Sequence, residues 1–165
     1  MVAAPGLNTS PPRARRRLDG VPRIDLDRSV CSGFEAAVGR EWLVTNGLGG
    51  YASGTVAGAA TRRYHGLLVA ALDPPLGRTV LVAGLDAWVD YQDATHGLSV
   101  QEYVGGTVHP DGWRHAEAFM LNGGLPVWTY GIGDARLTAS VWMGQGRNTT
   151  YVRYRFEAGG GPLRL

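Results

Sequence analysis

The sequence predicts an all-β protein, a large antiparallel β-sandwich of two sheets. Three observations carry that prediction. From Trp42 onward, apolar and polar residues alternate with a two-residue period over short segments. Clusters of Gly, Pro, Asn and Asp break those segments at short intervals. Helix-favouring runs are scarce, the best being residues 35–40, roughly one and a half turns. The 165 residues, with 25 glycines and 9 prolines, suffice for one domain of ordinary size.

The elements follow in chain order. Residues 1–30 are rich in Pro and Arg, with Arg13, Arg15, Arg16 and Arg17 clustered and no apolar stretch behind them. They read as a mobile tail without a signal-peptide core, and the domain proper spans 31–165. After the short helix at 35–40, a strand is predicted at 42–45. Residues 52–60 carry helix-friendly alanines, but Gly54 and Gly58 each cost about 1 kcal/mol in a helix interior, and Thr55 and Val56 are β-branched. Further strands are expected at 64–72, 79–85, 87–91, 98–103, 127–132, 137–143 and 150–157.

Two of these alternate cleanly. Leu137, Ala139, Val141 and Met143 share one face, against Thr138, Ser140 and Trp142. In the last strand Val152, Tyr154 and Phe156 oppose Tyr151, Arg153 and Arg155. Such a period implies one packed and one solvated face. Asp73-Pro74-Pro75, Asp111-Gly112, Asn122-Gly123-Gly124 and Gly133-Asp134 supply the turns. Leu163-Arg164-Leu165, behind a glycine run, reads as the opening of another strand, so the sandwich is expected to be truncated at its C-terminal end.

Composition narrows the function classes. All 16 basic residues are arginine, which fits a GC-rich coding bias, and they intersperse with 14 acids for a net charge of +2. That balance makes no case for nucleic acid. No apolar run reaches the roughly 20 residues of a spanning helix, so no membrane partner is expected. Cys31 stands alone, which excludes an internal disulfide and a cysteine zinc cage and is compatible with a cytoplasmic location. His109 and His115 are six apart, outside the usual zinc spacing, and no G-x-S-x-G elbow occurs. Asn8 and Asn148 open glycosylation sequons, read as chance without a signal peptide.

The richest stretch is Glu41 to Pro75. Gly47-Leu48-Gly49-Gly50-Tyr51-Ala52 fits G-x-G-x-x-G/A after a short apolar strand, with Asp73 further on, as a dinucleotide fold requires. The helix due after those glycines would have to hold Gly54, Thr55, Val56 and Gly58, and everything downstream alternates as strands. The dinucleotide-binding domain is therefore the weaker alternative.

The stretch Trp42-Leu43 to Asn46-Gly47-Leu48-Gly49-Gly50-Tyr51, then Gly54-Thr55, then Thr61-Arg62-Arg63-Tyr64-His65-Gly66-Leu67-Leu68-Val69-Ala70, resembles the N-terminal domain of bacterial and archaeal glycogen debranching enzymes. Looser matches follow at His109-Pro110-Asp111-Gly112, Pro126-Val127-Trp128 and Gly146-Arg147-Asn148-Thr149, so the likeness runs from about Glu35 onward. It implies a large β-sandwich, followed in the family by a C-terminal helical barrel with the amylo-α-1,6-glucosidase chemistry. The barrel has no counterpart in these residues. Glycoside hydrolysis ordinarily needs two carboxyl groups, which the resemblance places in the barrel; Glu41, Glu102 and Glu117 match no catalytic motif. The chain alone is thus expected to be inactive and to need no cofactor.

In a complete enzyme of that family it would support the catalytic domain and shape a cleft for an α-glucan such as glycogen. A stand-alone glucan-binding module is the alternative. The candidate substrate-binding or domain-interface residues are Asn46, Gly47, Gly49, Gly50, Tyr51, Arg62, Arg63, Tyr64 and His65. Glycines permit close approach, and planar guanidinium forks and polar-tipped rings suit sugar hydroxyls or a partner's carboxylates equally. Trp88, Trp128 and Trp142 lie in alternating strands and are assigned to the core. Trp113, after a turn, is the one tryptophan considered for an exposed sugar-stacking face. A sandwich without its barrel would bare apolar surface and self-associate.

Overall fold

The computed structural model describes residues 24–165. In chain order these form β1 (Asp25–Leu26), α1 (Arg28–Cys31), α2 (Phe34–Val38), β2 (Glu41–Thr45), β3 (Tyr51–Thr55), β4 (Gly66–Asp73), β5 (Leu76–Val82), β6 (Trp88–Tyr91) and β7 (Ala94–Gly97). Then come β8 (Val100–Glu102), β9 (Val108–Asp111), a 3₁₀ turn at Gly112–His115, β10 (Ala116–Asn122), β11 (Leu125–Ile132), β12 (Ala135–Met143) and β13 (Thr150–Ala158). A five-stranded sheet has the order β1-β10-β11-β12-β13, a four-stranded sheet the order β2-β3-β4-β5, and two hairpins, β6-β7 and β8-β9, lie outside them. Every strand pair is antiparallel. The fold is the all-β sandwich that the alternation predicts.

That topology overturns the dinucleotide alternative. Residues 47–50 form the turn of the β2–β3 hairpin, and Tyr51 opens an antiparallel strand where a helix would be needed. The domain boundary at residue 31 also moves. Asp25 and Leu26 pair with Met120 and Phe119, and Asp27 caps α1 by accepting from the Ser29 amide at 3.0 Å. The ordered chain therefore includes residues assigned above to the tail; the arginine cluster lies outside the described residues. At the other end Arg164 exchanges two backbone hydrogen bonds with Asp90, 2.9 and 3.1 Å, an isolated bridge to β6.

The two large sheets face each other through β2 and β3, which lie over β11 and β12. Trp42 of β2 meets Trp128 of β11 edge to face at 5.5 Å, and Phe119 of β10 meets the same indole at 5.1 Å. Both buried indoles keep a hydrogen-bond partner, as low-dielectric burial demands: Trp42 Nε1 donates to the Thr55 carbonyl at 3.2 Å and Trp128 Nε1 to the Val56 carbonyl at 2.9 Å. A second cluster joins Val89 and Tyr91 of β6 and Leu98 to Ile132 and Leu137.

One tryptophan assignment needs correction. Trp88 is 45% exposed rather than in the core, because β6 belongs to a two-stranded hairpin with one face open. Trp113 is half-buried: it packs against the main core, lies 5.9 Å from the Phe34 ring and carries the Arg114 guanidinium 4.5 Å over its face. Trp142 is buried, although it sits on the face of β12 expected to be solvated. Tyr151 of β13 stacks on it at 5.3 Å and 13°, which supplies the cover.

A cavity of about 140 Å³ is lined by Trp42, Thr55, Tyr130, Val141, Val152 and Tyr154 among others. Burial pushes the Tyr130 phenol well up from its ordinary value, with the neighbouring Tyr154 adding to the shift. Leu76, Leu81 and Val82 of β5 are exposed.

Candidate functional site

The predicted site residues divide between the turn of the β2–β3 hairpin and its outer face. At the turn, Asn46 is fully buried and uses its whole amide. Its Oδ1 accepts from the Leu48 and Gly50 amides at 2.9 and 3.1 Å. Its Nδ2 donates to the Arg147 carbonyl at 3.3 Å and to Asn148 Oδ1 at 2.8 Å. The Gly146 amide returns a bond to the Asn46 carbonyl at 2.8 Å, and Gln145 Nε2 reaches the Thr45 carbonyl at 3.1 Å. One side chain thus closes its own turn and ties it to the β12–β13 turn of the opposite sheet.

The glycines here serve that closeness. Gly49 has φ +87°, and a Cβ on it would sit 2.9 Å from the Pro75 carbonyl oxygen; on Gly50 a Cβ would sit 2.7 Å from Asn46 Nδ2. Arg78 Nε donates to the Gly49 carbonyl at 3.0 Å, bringing in the β4–β5 turn. Asn46, Gly47, Gly49 and Gly50 thus lie at the junction of three hairpin turns.

On the outer face of the hairpin the geometry differs. Glu41, Leu43 and Thr45 project from the outer face of β2, since Trp42 and Val44 between them point into the core. Tyr51 and Ser53 stand beside them on β3. The β3–β4 connection brings Arg62, Tyr64 and His65 over this face, and with Glu41, Leu43, Tyr51 and Ser53 they line a groove of about 300 Å³.

Arg62 Nε donates to Glu41 Oε1, and His65 Nε2 lies 3.5 Å from the same oxygen. The Thr61 amide donates to His65 Nδ1 at 3.1 Å. Because Nδ1 accepts, the neutral ring carries its proton on Nε2, facing Glu41. The Arg62 hydrogen bond holds the Glu41 carboxyl below its ordinary value. His65 is buried, and that burial lowers its pKa; Glu41 opposes the shift and Arg62 adds to it. Arg63 does not line the groove; its guanidinium lies 5.6 Å over the Tyr64 ring.

The groove thus unites Tyr51, Arg62, Tyr64 and His65 and leaves out Arg63 and the turn residues. Sequence reasoning missed Glu41 as the organiser and Leu43 and Ser53 as wall. Their signal lay in the alternation of β2: once Trp42 and Val44 are core, Glu41 and Leu43 must face out.

The groove presents a fixed cation, two phenol rings and a neutral imidazole around one carboxylate. Glu41 is the sole carboxylate lining it, and it is ionised and paired. Such a surface can bind hydroxyls and stack rings but holds no acid–base pair for glycoside cleavage. Elsewhere, His96 and His115 meet edge to face at 5.2 Å, and among the described residues no cluster of three or more metal-ligating side chains forms. No helix among them is long and apolar enough to cross a membrane.

Fold and groove together define an antiparallel β-sandwich domain with a polar, ring-lined recess on its outer sheet. The family described as Glycogen debranching enzyme N terminal matches residues 40–165, about three-quarters of the chain, and this chain belongs to that family. Neither the curated proteins nor the solved structures offer a match. The matched span opens one residue before Glu41, so it takes in the groove and the stapled turn alike.

Proposed function

We propose that this domain supports an adjoining catalytic helical barrel in the cytoplasm and forms one wall of an α-glucan cleft, with the β2–β3 groove on the glucan side. The carrying observation is the groove itself: Tyr51, Arg62, Tyr64 and His65 gathered round Glu41 on the outer face of the sandwich. Arg62 is held by Glu41 through Nε, which leaves its other guanidinium N–H groups as exposed donors, and prealigned donors bind hydroxyls at lower entropic cost. Tyr51 and Tyr64 add rings with polar tips, which suit the alternating apolar faces and hydroxyl edges of a pyranose. The acids that cleave the α-1,6 bond belong to the barrel on this reading, and the domain alone hydrolyses nothing.

Isothermal titration of the 165-residue chain with maltoheptaose tests the proposal. A single wall binds weakly, so millimolar affinity is expected, falling at least fivefold in Tyr64→Ala and in Arg62→Ala. Affinity unchanged by both substitutions would remove the groove from the account. Micromolar binding by the chain alone would favour a stand-alone glucan-binding module.

A further inference from the structure

The segment that covers the groove hangs on one buried ring. Residues 60–64 are all exposed, whereas His65 reaches inward and is 7% exposed. The Ser53 hydroxyl donates to the Tyr64 carbonyl at 3.4 Å, and two further attachments, from Arg62 and His65, converge on Glu41 Oε1. Within the segment, the His65 amide donates to the Arg62 carbonyl at 3.0 Å and the Thr61 amide to His65 Nδ1 at 3.1 Å. The imidazole therefore anchors the segment and closes its turn.

Both roles need the ring neutral. A proton on Nδ1 would set a second N–H against that of Thr61, where an acceptor is required. The new charge would also stand beside the Arg62 guanidinium, with both cations turned to one oxygen. Arg62 already donates to that oxygen, and His65 Nε2 lies 3.5 Å from it, longer than an ordinary hydrogen bond. Among the described residues, the charges acting on the ring are Glu41 of β2 and Arg62 of its own segment. Tyr51 of β3 and Tyr64 bring phenols into the groove, and Tyr130 and Tyr154, from β11 and β13, share the neighbouring cavity with His65.

The balance of these groups gives the direction. Burial disfavours the imidazolium, Glu41 favours it and Arg62 disfavours it, with a net lowering. Glu41 remains ionised in mild acid, because the Arg62 hydrogen bond holds its carboxyl below its ordinary value. A ring released into water takes its proton more readily than the closed one, so falling pH favours release.

We propose that neutral His65 is a latch holding residues 60–65 closed over the groove, and that its protonation releases them and dismantles the binding wall. The effect on a glucan rests on the reading of the groove given above; the latch itself does not.

Nuclear magnetic resonance of the full chain without glucan, followed from pH 7 to pH 5, reads the latch. The Thr61 amide is expected to lose its hydrogen-bonded shift together with the amides of residues 62–65. The midpoint should coincide with that of the His65 ring, below 6.5, while the Asn46 turn stays unmoved. His65→Asn offers an acceptor that does not titrate and should abolish the transition. Titration with maltoheptaose then reads the coupling. Apparent affinity scales with the closed fraction, so it should weaken about fivefold or more from pH 7 to pH 5. In His65→Asn it should not change with pH.

A Thr61 amide that stays put while the His65 ring protonates would overturn the proposal. The same transition persisting in His65→Asn would do so too, as would an affinity level with pH while the segment is released. A Thr61 transition in a chain that binds no maltoheptaose at any pH would support the latch and remove the glucan reading.

Discussion

Asn46 shows how much one side chain can hold. All four of its side-chain hydrogen bonds are made at a fully buried position. Removing it strands two backbone amides and unties the two sheets, and each buried donor left unpaired costs about 1–3 kcal/mol. Asn46→Ala should therefore destabilise the domain by about 3 kcal/mol, measured by urea unfolding. Gly49→Ala should cost about 2 kcal/mol by the same measurement, from its positive φ and its approach to Pro75.

His65 carries the pH dependence. Its folded pKa lies below the ordinary value of 6.5 because burial disfavours the imidazolium. The unfolded chain then binds the proton more readily, so the stabilisation is present above about pH 6.5 and is lost as pH falls through the lower folded value. His115 shifts in the same direction, chiefly by burial. His65→Asn, which retains an acceptor for the Thr61 amide, should show a shallower loss of stability between pH 7 and pH 5 than the parent chain. An equal slope would mean that His115 accounts for all of it.

Among the strands, β12 is the central one. It pairs on both sides and is buried at seven of its nine positions, whereas every position of β5 but Val80 is exposed. Amide exchange should accordingly be slowest along β12 and among the fastest along β5, because protection follows burial and pairing. The same contrast explains which strands the sequence revealed. Leu137, Ala139, Val141 and Met143 announce β12 by period alone. β10, Ala116–Asn122, has no β-branched residue, and its two alanines and glutamate suit a helix equally; pairing with β1 and β11 decides it. β3, with Gly54 between Ser53 and Thr55, is held by β2 and β4 and not by any local preference.

Across the molecule, the sandwich class was legible because its signals are local: alternation, turn residues, few helix formers. The pairing order, the two outlying hairpins and the cavity were not, since long-range register leaves no trace in a single sequence. The candidate site was legible as a segment and illegible as a shape. Residues 46–65 hold one continuous run of unusual residues, yet folding leaves its beginning at the β2–β3 turn and lays its end over the outer face of that hairpin. The first part became a structural staple and the second a groove, with Glu41 brought in from outside the run.

That division of labour is the central claim, and backbone amide shifts followed during titration with maltoheptaose test it most directly. The account predicts that perturbations gather at Tyr51, Ser53 and residues 61–65 and spare Asn46, Gly47, Gly49 and Gly50. Shifts centred on the stapled turn or on Trp113, with the groove unmoved, would contradict it.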